Sequence, residues 1–326
     1  MEWQKIFDSF LEYVKLKTAP LLEENADLSV IGCTMHKYSD NDKNYSYRTE
    51  AVIALLFSDV HDDHHKKLIE TALLAEMRYC YMAWGCSNSL RILAGLLWDY
   101  DKESPLLKKA KETNFDTYFE IDDDCSELLE AIRNLRKSPS LEQILDLVCY
   151  TENEKFYSQL LDIWIDEHKE NLGQSELYEW KFYEQFRKNY ENRIFIGEKL
   201  VGIFKQENNK YMVDLFLEYV INTHLESGDY EKALEATRRL IAEQSKSVDT
   251  DISSVLLKVL NTLPLGQTKD IQVFLLSYMP HNLNDLSLAT LEAGIEFAEK
   301  LNDYPLKQRL TRRRNKNFTG KGIHQR

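Results

Sequence analysis

The densest set of metal-capable side chains is Asp59-Val60-His61-Asp62-Asp63-His64-His65. On a helix, His61, His64 and His65 fall at i, i+3 and i+4 and share a face, and imidazoles so placed can hold zinc or iron. The competing expectation is a polar helix start, with the aspartates at the positive end of the helix dipole. Four charged residues, Asp59, Asp62, Asp63 and Lys66, flank the imidazoles. That setting predicts a solvent-facing, metal-free cluster, so the sequence assigns no catalytic, cofactor-binding or metal-ligating residue.

Other chemistry-bearing spacings stop short. Gly197-Glu198-Lys199-Leu200-Val201-Gly202 has the glycine spacing of a phosphate loop, but Ile203-Phe204 stand where Lys and Ser or Thr belong. Gly85-Cys86-Ser87-Asn88-Ser89 starts like a nucleophile elbow and lacks its last glycine. Asp122-Asp123-Asp124 lacks the alternate spacing and the glycine of a calcium loop, and reads as a solvated acidic turn. Cys86 has no histidine placed to activate it and reads as a buried thiol. His61-Asp62, with His36 upstream, is similar to the spaced His and His-Asp pattern of helical metal phosphohydrolases. That resemblance implies a metal-dependent hydrolase, although Phe57-Ser58-Asp59-Val60 here separates the pair from the apolar helix end that it directly follows in that family.

The elements that must position these residues are helical. The chain of 326 residues has only 11 Gly and 6 Pro, against usual shares of roughly 7% and 5%, which argues against turn-dense β-architecture. Apolar residues recur at three and four in Trp3-Ile6-Phe7-Phe10-Leu11-Val14, in Leu90-Leu93-Ala94-Leu97 and in Leu256-Leu257-Leu260. The one stretch open to two-residue alternation is Ser29–Met35. Ser140-Leu141-Glu142-Gln143 fits a capping box, and Asp59 or Asp62 fits the cap of a helix running through Leu74. Lys37–Arg48 holds no aliphatic residue and reads as a long loop, and Asn114–Asp124 as a second. Pro139 marks a boundary at Lys137–Ser140, giving an N-terminal helical domain over 1–138 and a helical-repeat domain over 139–326. In the second, Asn153–Lys169 and Ser175–Gln206 form a helix pair.

Charge and cysteines bound the class. With 54 acidic and 41 basic residues the net charge is −13, which disfavours nucleic acid. No acid follows Asp303, and eight basic residues from Lys307 to Arg326 form a tail, expected as a frayed or folded-back terminus, that leaves 1–306 at −21. The longest apolar runs, Ala51–Phe57 and Ile92–Trp98, are far short of the ~20 residues that span a bilayer, and no secretory signal is read at Met1-Glu2-Trp3-Gln4-Lys5. Five cysteines without a C-x-x-C fit reduced thiols of a cytoplasmic protein.

Gly228-Asp229-Tyr230-Glu231-Lys232-Ala233-Leu234-Glu235 resembles the turn and second helix of a tetratricopeptide repeat, with Leu217 and Val220 at the bulky positions of the first helix. Thr237, where that family prefers an aromatic, Leu240, where it prefers Ala, and the missing closing Pro depart from the pattern. A fainter copy lies at Asn302-Asp303-Tyr304-Pro305-Leu306, about two repeat periods on. The resemblance covers 211–310, is specific in one unit, and implies an all-α solenoid of antiparallel helix pairs that binds proteins or peptides. The leading expectation is thus a non-enzymatic, acidic helical scaffold for a basic protein or peptide, as an adaptor or an inhibitor or immunity-type protein. The alternatives are a metal-dependent hydrolase using His61, His64 and His65, and a peptide-sensing regulator; the latter lacks a basic recognition helix.

Overall fold

The computed structural model describes residues 2–23, 25–35, 42–244, 287–300 and 302–318. Regular structure among them is helical, and the one β feature is an isolated bridge between Met35 and Asp42. Ser29–Met35 is therefore not a strand: Leu28–Ile31 forms a 3-10 turn, started by the Asp27 carboxylate accepting from Ser29 N–H at 3.0 Å. No helix among the described residues is long and apolar enough to cross a membrane. His36, Lys37–Asn41, the Leu256-Leu257-Leu260 pattern and the tail residues Lys321 and Arg326 lie outside the described residues.

Contacts divide the chain into two compact units, Met1–Leu172 and Gly173–Arg326. In the first, α1 (Glu2–Thr18) buries Trp3, Phe7, Phe10 and Val14 against α2 (Tyr45–Leu56) and α9 (Glu154–His168). Each such side chain contributes about 1.5–3 kcal/mol on burial. α3 (Asp63–Ala83) starts at Asp62, whose carboxylate accepts from His65 N–H at 2.8 Å. α4 (Asn88–Tyr100) starts at Ser87, whose hydroxyl accepts from Leu90 N–H at 3.0 Å. α5 (Pro105–Lys111), α6 (Phe115–Glu120), α7 (Ser126–Lys137) and α8 (Leu141–Val148) follow, the last with the full Ser140–Gln143 capping box.

α4 and α7 approach closely at Gly95, where a Cβ would lie 2.6 Å from Ile132 Cδ1. At the centre of the unit Arg48 is wholly buried, with Nε 2.5 Å from Glu76 Oε1, Nη2 2.7 Å from Asp42 Oδ2 and Nη1 donating to the Ile31 carbonyl at 3.2 Å. Tyr45–Arg48 is thus the first turn of α2 rather than loop.

Two further expectations shift. The break at Lys137–Ser140 is a turn inside the first unit, because α8 and α9, read from the sequence as part of the second domain, pack there. Phe156 of α9 meets Phe10 edge-on at 5.6 Å, and Asn153 Nδ2 donates to Glu50 at 2.6 Å. The stretch Asn114–Asp124 contains α6, which Asn114 starts with a capping box to Thr117.

In the second unit, Ser175–Gln206 is two helices, α10 (Gln174–Arg187) and α11 (Tyr190–Gln206), parted at Lys188 (φ 57°) and restarted by Asn189 accepting from Asn192 N–H. α11 packs on α12 (Lys210–Ser227), with Gly197 so close that a Cβ would meet Val220 Cγ2 at 2.6 Å. Gly228 closes α12 in the left-handed region (φ 80°), and α13 (Tyr230–Gln244) returns along it with Ala233, Thr237 and Leu240 fully buried. The small Ala233 permits close approach, and Thr237 takes its buried place because its hydroxyl donates to the Ala233 carbonyl at 2.7 Å. α14 (Leu288–Lys300) packs on α15 (Tyr304–Phe318), which buries Leu306 and Leu310. The basic stretch 307–318 is therefore helix and not a frayed end.

Candidate functional site

The histidine cluster does not converge. His61 lies flat on Tyr100, ring centroids 3.7 Å apart, with Nε2 3.9 Å from Asp99. His64 Nε2 lies 3.0 Å from the Leu21 carbonyl. His65 Nδ1 lies 2.9 Å from Asp62 Oδ1. His61 lies before the Asp62 cap and so outside α3, which leaves only His64 and His65 in its first turn, and the three imidazoles meet three separate partners. No group of three or more His, Cys, Asp or Glu among the described residues is arranged to hold a metal ion.

The other spacings are structural. Gly197 and Gly202 sit inside α11, where the backbone N–H groups are spent on the helix. Ser87 donates to Glu76 Oε2 at 2.5 Å while capping α4, so its hydroxyl is committed. Burial pushes the Cys86 thiol up to about 12, which removes its thiolate at neutral pH. Asp123 pairs with Lys111 at 3.1 Å, and Asp124 accepts from Ser126 N–H at 2.9 Å.

What the first unit displays instead is an exposed aromatic surface. α3 ends at Trp84, held at φ 52° in the left-handed region and 85% exposed. This is the helix-ending position where glycine or asparagine is usual, and a left-handed conformation costs other residues roughly 1–2 kcal/mol. Asn114 brings α6 to the same place: its side-chain amide donates to the Cys80 and Gly85 carbonyls, each at 2.9 Å, on either side of Trp84. Directly after Asn114, Phe115, Tyr118 and Phe119 stand at i, i+3 and i+4 and are 77%, 56% and 67% exposed. Phe119 packs edge-on against Phe115 at 4.9 Å and Tyr118 at 5.6 Å. Tyr81 and Met82 on the last turn of α3 are exposed too.

The rim is acidic. Asp116, Glu120, Asp122, Asp123 and Asp124 are exposed, against Lys111 and Arg91. Lys111 also lies 5.3 Å over the Tyr118 ring, and Arg91 Nε is 3.7 Å from Glu120. The sequence places these three aromatics in a loop over Asn114–Asp124, and a loop gives no reason to expect them together on one surface. The available signal was length: a helix capped by Asn114 and followed at once by three aspartates is too short to cover three rings.

The second unit holds a groove of about 380 Å³ lined by Glu191, Glu198, His224, Lys232, Glu235 and Arg239 of α11, α12 and α13. Arg239 grips Glu198 through both guanidinium nitrogens, at 2.6 and 2.8 Å. That contact holds the Glu198 carboxyl below the usual range. Burial pushes the His224 imidazole down, keeping it neutral.

Comparison with known proteins returns no match: no family model, curated protein or solved structure matches this chain.

Proposed function

We propose that the protein is a non-enzymatic scaffold that binds a basic protein or peptide, and that the aromatic surface of the first unit is where it does so. The observation that carries this is Trp84, a large apolar ring held in a costly backbone conformation and turned to water beside three more exposed rings. Contiguous exposed aromatics mark interaction sites, and Trp and Tyr dominate their binding energy. A carboxylate rim around an apolar centre suits a partner with Lys or Arg flanking an apolar anchor.

The tetratricopeptide-like reading of 211–310 fits the same role. Its support is the tight α12–Gly228–α13 turn and the carboxylates along the neighbouring groove, and it extends the scaffold to a repeat-type stack in the second unit. Five free cysteines, none in a disulfide, fit a reducing cytoplasm.

The test compares partners captured by the wild type and by a Trp84→Ala, Phe115→Ala, Phe119→Ala variant, identified by mass spectrometry. A basic partner held by the wild type and lost by the folded variant is the expected result. An unchanged set of bound proteins sinks the assignment of this surface.

A further inference from the structure

α15 carries a basic face that the fold leaves uncovered. At about 100° per residue, Tyr304, Arg312, Lys316 and Arg309 fall within an arc of about 140°, and the buried Leu306 and Leu310 lie outside it. All four are exposed, Tyr304 at 65%. Lys307, off this face, pairs with Glu299 at 2.7 Å. Arg309, Arg312 and Lys316 form no ion pair among the described residues, and the helix itself contains no acid to neutralise them.

The aromatic surface of the first unit has the opposite balance. Arg91 meets Glu120 at 3.7 Å and Lys111 meets Asp123 at 3.1 Å. Asp116, Asp122 and Asp124 are left exposed and without an ion pair among the described residues. Three unpaired carboxylates thus rim a set of exposed rings, and three unpaired cations accompany the exposed ring of Tyr304.

We propose that the basic partner of the aromatic surface is a second copy of this chain, with the uncovered face of α15 docked on it. Tyr304 then packs against the rings, and Arg309, Arg312 and Lys316 meet Asp116, Asp122 and Asp124. This rests on the reading of that surface as a site for a basic partner, and names the partner. A folded helix presents its ring and its cations already ordered, so docking costs less conformational entropy than it would for a free basic peptide. The net charge of −13 on each copy opposes approach, but at physiological salt that repulsion is screened beyond about 8 Å, whereas pairs in contact are not. Two different patches meet, so the contact is heterologous, and assemblies grow past the dimer as rings or open chains.

The test mixes two variants of the full chain, each checked for folding by circular dichroism. One lacks the surface (Trp84→Ala, Phe115→Ala, Phe119→Ala), the other the helix face (Arg309→Glu, Arg312→Glu, Lys316→Glu). In sedimentation velocity, wild type is expected to associate with a dissociation constant on the order of 10 μM, as suits a small contact, and to form species larger than a dimer as concentration rises. Each variant alone is expected to associate about tenfold or more weakly. An equimolar mixture is expected to regain association and to stop at the dimer, because only one complementary pair of patches remains. A second measurement needs no variant and stays decisive if one does not fold. Carbodiimide joins a carboxylate to a lysine amine in contact, and in a mixture of light and heavy-isotope wild type it is expected to link Lys316 of one chain to Asp116, Asp122 or Asp124 of another. Monomeric wild type throughout, a variant that associates as wild type does, a mixture of folded variants that stays monomeric, or links confined to one chain or to other residues overturns the proposal. Phosphatidylserine vesicles that bind monomeric wild type and not the helix variant give α15 to a lipid surface and overturn it too. Monomeric wild type that still captures a foreign basic protein through Trp84 rejects the second copy and keeps the reading of the surface; monomeric wild type whose captured proteins are unchanged in the surface variant rejects both.

Discussion

The side-chain amide of Asn114 donates to the Gly85 carbonyl at 2.9 Å, joining the start of α6 to the residue that follows Trp84. The same amide group donates to the Cys80 carbonyl at 2.9 Å, and its oxygen accepts from Thr117 N–H at 2.9 Å. One short side chain therefore caps α6, satisfies backbone carbonyls at the end of α3, and sets the spacing of the exposed rings.

Replacing Asn114 with Ala removes the cap and both carbonyl bonds. The expected loss is about 1–2 kcal/mol of stability, measured by urea unfolding. Hydrogen exchange is expected to rise first in Phe115–Glu120. Exchange unchanged there means that α6 is held by other contacts.

Trp84→Gly separates stability from binding. Glycine relieves the left-handed strain and brings a backbone entropy cost of similar size, so stability is expected to hold or to rise by up to about 1 kcal/mol. Partner affinity is expected to fall at least tenfold, as for a central aromatic anchor. A variant that loses stability but keeps its partner reverses the role given to Trp84.

Two glycines of one helix give opposite signs. A Cβ at Gly202 of α11 meets nothing within 4 Å, so Gly202→Ala is expected to stabilise by about 1 kcal/mol through helix propensity. At Gly197 the Cβ lies 2.6 Å from Val220 Cγ2 and 3.1 Å from Tyr219 Cδ1. There the same substitution is expected to cost about 1–3 kcal/mol in overpacking, outweighing the propensity gain. Thermal midpoints of the two variants moving in the same direction contradict the packing of α11 on α12.

The contact between Arg48 and Asp42 carries an acid-sensitive contribution. Arg48→Ala strands buried charges and is expected to cost about 3–5 kcal/mol. Burial by itself raises the Asp42 carboxyl, but the Thr34 N–H and the Arg48 guanidinium outweigh it and hold the group below its usual range. Its contribution is therefore complete above the ordinary aspartate value near pH ~4 and is lost as the pH falls through the lower folded value. Stability followed from pH 6 to pH 2 is expected to fall less steeply in Asp42→Asn than in wild type. Parallel profiles remove Asp42 from the account.

Much of the helical framework is legible in the residues because local chemistry decides it. Trp3, Phe7, Phe10 and Val14 share a face and are buried together; Ser140 with Gln143, and Gly228, end or begin helices by hydrogen bonding and backbone freedom that short stretches already display. What is not legible depends on long-range packing. Lys188 interrupts an aromatic run by taking a left-handed conformation that its side chain gives no reason to expect. α9 joins the first unit because Phe156 reaches Phe10 across the chain, while the Pro139 break is only a turn. The candidate surface was hidden because Asn114–Asp124 reads as a loop, whereas the Asn114 cap makes it a short helix that gathers Phe115, Tyr118 and Phe119, and their exposure depends on what the rest of the fold leaves uncovered. The histidines do not share the helical face that their spacing predicts, because α3 starts only at Asp63 and leaves His61 outside it, and each imidazole is claimed by a different neighbour.

The uneven burial of the indoles has an optical consequence. Trp3, Trp164 and Trp180 are buried and Trp98 is half-buried, while Trp84 is 85% exposed. Trp84 is thus the fluorophore at the red edge of the emission and the indole most open to an aqueous iodide ion. The protein reports on its own aromatic surface without a label: whatever covers that surface shifts this emission to the blue and shields it from the quencher, while the other four indoles stay constant as an internal standard.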